Sequence, residues 1–383
     1  MACTFTIGVE GQWIINFSVN HKLYELNDGD LSLDVSDLIE LTVIEDTGNL
    51  LSTWEMAFIS DDKWLRVWDE GLEMDITMAK SRTENVSGVY KLMIVTKNTA
   101  AVNQRIVYHA CGICRYPAFT QVPHVHSWRD VNGTSILEEI AKANKFNVIN
   151  EDSIKSTEKL SWHQSNVTDK RFLDYVVQHC YIQDSLVGVG ISGSEYIIVD
   201  IAKQTTKDPK YVVSVKEEDS SLADTRFIPI NEPKVKSNSA FLNAQGAYGS
   251  DTPIINLDVG MQMLYHPSVD LHLTETWAPN NGQINRKINP PVYVSRNQDP
   301  NFIAAKCNYD LGMALLNMQT ILTSIIAGYF PLRLYDPIYI FPIEIEGSLN
   351  PVDSGKYLVT KVGRTISNGK MQTNIEGSRN DHN

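Results

Sequence analysis

Cys111-Gly-Ile-Cys114 sets two thiols three residues apart, and His124 and His126 follow a short loop later. Thiolate and imidazole together are the donor set of tetrahedral zinc. A structural zinc site draws on a second Cys pair or a His pair at helical spacing. Neither is present, so the spacing favours two small residues at the end of a strand. An iron–sulfur site would need Cys180 and Cys307 to converge on that pair, which spacing does not indicate. Asp28, Asp30, Asp34 and Asp37 have the density of a calcium loop but lack the glycine and distal glutamate of the EF-hand pattern, which leaves a solvated loop. His163 and His179 flank a predicted helix, where an imidazole more often serves the last carbonyls than acts as a base. Gly188, Gly190 and Gly193 resemble a dinucleotide loop, but they fall within a predicted hairpin rather than between strand and helix. Nucleophile-elbow, phosphate-loop and zincin patterns are absent. With 46 acidic residues some carboxylate pair always meets glycosidase spacing, so that test decides nothing. No catalytic, cofactor-binding or metal-binding residue is assigned.

The bulk properties point the same way. A formal net charge of −13 opposes a nucleic-acid-binding surface, which needs a basic face to displace counterions. It is compatible with nucleic acid passing by without adhering. Hydrophobic content of 43% is ample for a core, and 383 residues favour two to four domains. The first residues lack the basic start and apolar run of a signal peptide, and the apolar run at 321–331 is too short to span a bilayer. The expectation is a soluble protein, made in a reducing cytoplasm, with no membrane anchor. The sequons at Asn85, Asn132 and Asn166 are then chance matches.

Residues 1–115 read as an all-β domain. Strands are predicted over 5–9, 13–19, 38–45, 50–59, 72–79, 89–96 and 105–113, separated by Asn/Asp/Gly turns. Trp54, Trp64 and Trp68 supply bulk for its core or lid; an aromatic carbohydrate platform is the alternative. Residues 116–203 read as a small α/β domain. Thr134 or Ser135 caps a helix over 134–144, with Glu138 completing a capping box, and a short strand covers 145–149. Thr168 caps a second helix over 170–179 that buries Phe172, Leu173, Val176 and Val177, and a hairpin follows over 186–202. Residues 204–250 carry further strands at 212–215, 226–230 and 240–247, and 251–300 reads as an insertion of long loops at 278–287 and 289–291. A helix over 301–318 leads to a strand at 320–326, and 333–346 is strand-like. The stretch 356–379 closes the chain as a hairpin around Asn368-Gly369, whose residues suit positive φ. The fold class is α+β, mainly β: two antiparallel barrels, 1–115 and 204–250 with 319–383, separated by the α/β domain and an inserted loop-rich, helical 251–318.

The order of parts, with Gln164, Thr168, Asp169, Phe172 and Leu173 before and into the second helix and Gly355, Tyr357, Val359 and Val362 in the closing strand, resembles the baseplate hub proteins of contractile-tailed bacteriophages. It is also similar to the N-terminal part of type VI secretion spike proteins. The motifs cover 134–200 and 355–379; 204–300 has no match. The resemblance implies tail-tube-like barrels and a homotrimer whose barrels form a six-fold-like ring. One side of the ring would meet a hexameric tail tube or tube-initiator protein, the other a central spike or cell-puncturing protein. DNA would pass through the channel without specific binding, and 251–300 would contact baseplate wedge proteins. The implied location is the virion tail baseplate and the implied role structural, not enzymatic. A tail-associated peptidoglycan hydrolase and a carbohydrate-binding receptor module are the other classes left open.

Overall fold

The computed structural model describes residues 2–9, 13–20, 31, 33, 35–79, 87–114, 116–214, 227–237, 250–258, 260–273, 287–294, 301–325, 331–342, 344–345, 348–349, 353–368 and 370–380. Asp28, Asp30, Asp34, Asn85, the strand expected at 240–247 and most of the loop at 278–287 lie outside these.

The first half forms β1 (Ala2–Val9), β2 (Trp13–Asn20), β3 (Leu38–Asp46), β4 (Asn49–Ser60), β5 (Glu73–Ala79), β6 (Ser87–Val102) and β7 (Arg105–Cys114). They pair antiparallel in the order β1-β2-β5-β6-β7-β4-β3. Alternation gives the sheet one buried face: Leu41, Val43, Met56, Phe58, Ile76, Met78, Leu92 and Ile94 are buried together.

Next come α1 (Pro117–Thr120), β8 (Pro123–Val131), α2 (Gly133–Ala143), β9 (Asn147–Ile149), β10 (Leu160–Thr168), α3 (Asp169–Val177), β11 (Tyr181–Ile182), β12 (Ser185–Ser192), β13 (Glu195–Asp200) and α4 (Ile201–Thr206). Strands β8 and β10 form a two-stranded ribbon, while β11, β12, β13 and β9 form a small sheet. Helix α2 is capped by Asn132, whose side chain accepts from the Ser135 N–H at 2.9 Å, not by Thr134 or Ser135. The capping box fails because Glu138 is engaged by Lys142 and Asn150 instead. Thr168 does cap α3, accepting from the Arg171 N–H.

The remainder comprises β14 (Tyr211–Ser214), β15 (Phe227–Ser237), β16 (Ser250–Asn256), β17 (Met261–Tyr265), β18 (Lys287–Ile288), β19 (Val292–Val294), α5 (Asn301–Leu316), β20 (Gln319–Ile325), β21 (Pro337–Phe341), β22 (Glu344–Ile345), β23 (Ser348–Leu349), β24 (Gly355–Ser367) and β25 (Lys370–Arg379). The described part of the insertion is not only loop: β16, β17, β18 and β19 make a small sheet of their own. Strands β24-β21-β14-β15-β20-β25 close into a ring through the β24–β25 pairing. This barrel is mixed rather than wholly antiparallel, since β14 runs parallel to both its neighbours.

Both halves belong to one sheet. Along one edge β24 pairs first with β21 through Gly355–Leu358, then with β3 through Lys361–Ser367. The irregularity between Val359 and Lys361 marks the crossing, where a bulge re-aims the strand. Ile366 and Met371 accordingly enter the first core, while Tyr357, Leu358, Val359, Val362 and Ile375 enter the second. One hairpin staples two cores. Asn368 at its turn takes φ +50°, as the Asn-Gly signal requires.

Candidate functional site: the buried junction between the halves

Glu45 on β3 and Arg364 on β24 meet where the halves join. The side chains are 0% and 2% exposed, with Nη1 3.1 Å from Oε2. Arg364 also donates to the Tyr90 hydroxyl and to the Leu332 carbonyl, each at 2.9 Å. Glu45 accepts from the Ser192 hydroxyl at 2.8 Å and from the Gly193 N–H at 3.1 Å. Gly193 holds the β12–β13 turn at φ +58°, a conformation glycine adopts without strain. Three parts of the chain therefore converge on one ion pair: the first sheet, the closing hairpin and the tip of the α/β unit. A buried charge is tolerable only when paired and hydrogen-bonded, and this pair is both. Its chemistry is that of a lock.

The hairpin bearing that tip packs on 332–335. Tyr335 donates to the Val189 carbonyl at 3.1 Å. A Cβ on Gly190 would lie 2.7 Å from Leu334 Cδ1, and one on Gly188 2.5 Å from Ile201 Cδ1. These glycines exist for close packing, not for a phosphate. At the other end of the second barrel, buried Arg379 donates to Gln319 and to the Ser354 carbonyl and lies 4.6 Å over the Tyr357 ring.

The residues singled out by sequence resolve as follows. Cys111 and Cys114 sit three apart on β7; Cys114 is buried in the first core, while half-buried Cys111 contacts Thr96 Oγ1 at 2.8 Å. Burial pushes the Cys114 thiol up to about 12. His124 and His126 lie on β8, where His126 packs on Trp128. Cys180 donates to the Val176 carbonyl and Cys307 neighbours Thr252, each within its own surroundings. Among the described residues no group of three His, Cys, Asp or Glu could hold a metal ion. Asp37 pairs with Arg105 at 2.6 Å. Trp54, Trp64 and Trp68 are 2%, 1% and 1% exposed, so they are core and present no carbohydrate platform. His163 bonds Ser127 at the surface.

His179 does serve a carbonyl: its Nδ1–H donates to Tyr175 O at 2.8 Å, and its ring stacks on Phe302 at 3.9 Å. Burial holds its pKa below the usual histidine value, with the Tyr175 bond opposing and Lys306 adding to the depression. The unfolded chain then binds the extra proton, so this contribution is whole above about pH 6.5 and is lost as pH falls through the lower folded value. The melting temperature should drop between pH 7.5 and 5.5, and His179→Phe should shrink that drop. An equal drop in the variant assigns the pH dependence elsewhere.

The hub-like motif is structural. Buried Asp169 accepts from Gln164 Nε2 at 2.8 Å and from Asn144 Nδ2 at 2.7 Å, tying β10 and the end of α2 to the start of α3. Sequence reading missed two buried carboxylates. Glu158 accepts from the Gly133 and Tyr181 N–H groups and the Ser156 hydroxyl, and desolvation raises its pKa. Glu45 and Arg364 had a readable signal: each continues the parity of core-facing neighbours, Leu41 and Val43 in one strand, Val362 and Ile366 in the other.

No helix among the described residues is long and apolar enough to cross a membrane. No protein-family profile and no curated protein matches the chain. Solved structures do match. The 43 kDa tail protein of prophage MuSo2 from Shewanella oneidensis is 9% identical, with TM-score 0.58 over 97% of this chain and 100% of that one. The tail protein from Neisseria meningitidis MC58 is 9% identical, with TM-score 0.57 over 90% and 92%. A chain of the Francisella PdpA–VgrG complex, half-lidded, is 11% identical, with TM-score 0.51 over 97% of this chain and 58% of that one. The chain has the fold of phage tail proteins, mainly β, its two halves carried by one sheet whose second half closes into a ring.

Proposed function

We propose that the protein is a structural baseplate hub of a phage tail, located in the virion. In this reading a homotrimer joins a hexameric tail tube to a central spike and forms part of the DNA channel. One observation carries it: a seven-stranded antiparallel half and a closed six-stranded half are held to each other by a shared strand and a buried ion pair. Three copies then present six β units to a six-fold tube, provided the halves do not move independently. The tail-protein fold supports the reading, and a net charge of −13 suits a channel through which DNA slides without sticking. The division that goes with it is 1–115, 116–203, 204–250 with 319–383, and 251–318, the last facing baseplate wedge proteins. The role is geometric and involves no bond-making.

Light scattering after size exclusion tests the stoichiometry. The expected mass is three times the 43.1 kDa chain, alone or with a stoichiometric tube or spike partner. A monomer under both conditions would overturn the trimer, and peptidoglycan cleavage would move the protein to the hydrolase class.

A further inference from the structure

Strand β10 is hydrogen-bonded to β8 along one edge, and among the described residues no strand pairs with its other edge. That edge borders a groove of about 440 Å³. Leu160 and Trp162 line it from one face of β10, Ser161, His163 and Ser165 from the other, and no β8 residue takes part. Successive side chains point to opposite faces of a strand, so a groove touching both faces runs along the edge itself. The opposite wall is aromatic and rigid: Phe172 and Tyr175 of α3 and Phe302 of α5. Tyr175 is 47% exposed although it belongs to this aromatic cluster.

Charge selects the occupant. Arg171 is the sole Arg, Lys, Asp or Glu lining the groove, and its exposed guanidinium forms no ion pair among the described residues. Its neighbour Lys170, by contrast, is paired with Asp174. A cation left unpaired beside an open strand edge favours a carboxylate on the guest. We propose that β10 is a strand-addition site for an extended acidic segment of a partner protein. Main-chain bonds to the β10 edge would supply affinity. An apolar side chain would pack on the exposed ring of Tyr175, and a carboxylate two residues along, on the same face, would reach Arg171. This inference stands on the groove alone and holds whether or not the chain is a hub.

The probe is a fluorescein-labelled octapeptide of threonines with one phenylalanine and, two positions later, one aspartate, read by fluorescence polarisation on the full chain. Binding should weaken at least tenfold when the aspartate becomes lysine, and should vanish when alternate peptide nitrogens on the pairing edge are methylated. Arg171→Glu, an exposed substitution, should reverse the aspartate–lysine preference. No binding at millimolar peptide, indifference to charge, or tolerance of methylation would overturn the proposal. So would self-association that Arg171→Glu abolishes, which would give the groove to a second copy.

Discussion

Arg364→Met should lower the stability of the chain by about 3–5 kcal/mol, because it leaves the Glu45 carboxylate buried with its cation gone. The Ser192 and Gly193 donors remain but cannot supply a full charge. Denaturant unfolding reads the loss, taken from the first transition because a chain of several units need not unfold in one step. The double variant Glu45→Leu with Arg364→Met should recover part of it, since no charge is left buried, while the Ser192 and Gly193 donors and the Leu332 carbonyl lose their partners. Amide exchange should quicken at Gly193, whose N–H the carboxylate holds, and at strand β3 opposite residues 361–367. A single variant within about 1 kcal/mol of the parent, with unchanged exchange, would mean that packing alone holds the halves together.

Phe58→Ala should cost about as much, roughly 3–5 kcal/mol. Phe58 is fully buried and stacks on Tyr108 at 4.9 Å, while meeting Trp64 and Trp68 edge-on at 4.8 and 5.0 Å. Deleting it opens a cavity beneath two large indoles that are themselves pinned. Residues 62–66 are capped by Asp61, and the Tyr108 hydroxyl donates to the Asp61 carbonyl at 2.6 Å. Partial collapse is the outcome, with a red shift of tryptophan emission accompanying the lower denaturant midpoint. Phe58→Leu should cost distinctly less, because most of the volume stays filled. Unchanged stability with altered sugar binding would restore the platform reading of these tryptophans.

The strands of the first half are legible because short β-rich runs recur at near-regular spacing between clear turns; most observed bounds differ by few residues, while β6 runs on to Val102. The terminal hairpin is legible from its Asn368-Gly369 turn and the alternation of residues 370–378. What it pairs with is not: β24 lies against β3, some three hundred residues earlier, and local periodicity contains no information on such partners. The alternation of β24 itself is blurred for a structural reason. Residues 357–359 are buried on both faces as the strand passes from one core to the other. The parallel β14 is only a few residues long and gives no sign of direction. The insertion reads as loop because of its long turn-rich stretches at 278–287 and 289–291, yet β16 and β17 pair as a short antiparallel hairpin. The helix α2 cap lies two or three residues before the expected one, since Asn132, Thr134 and Ser135 are all competent caps and only the backbone at Asn132 decides. At the junction both charges sat in core parity, but pairing them required knowing that β3 and β24 are neighbours.

Negative-stain averaging of the purified protein, alone and with a tail tube, tests the central claim most directly. The account predicts three-fold particles enclosing a central channel, seated coaxially on the end of the tube. Particles without three-fold symmetry that never engage the tube would contradict it.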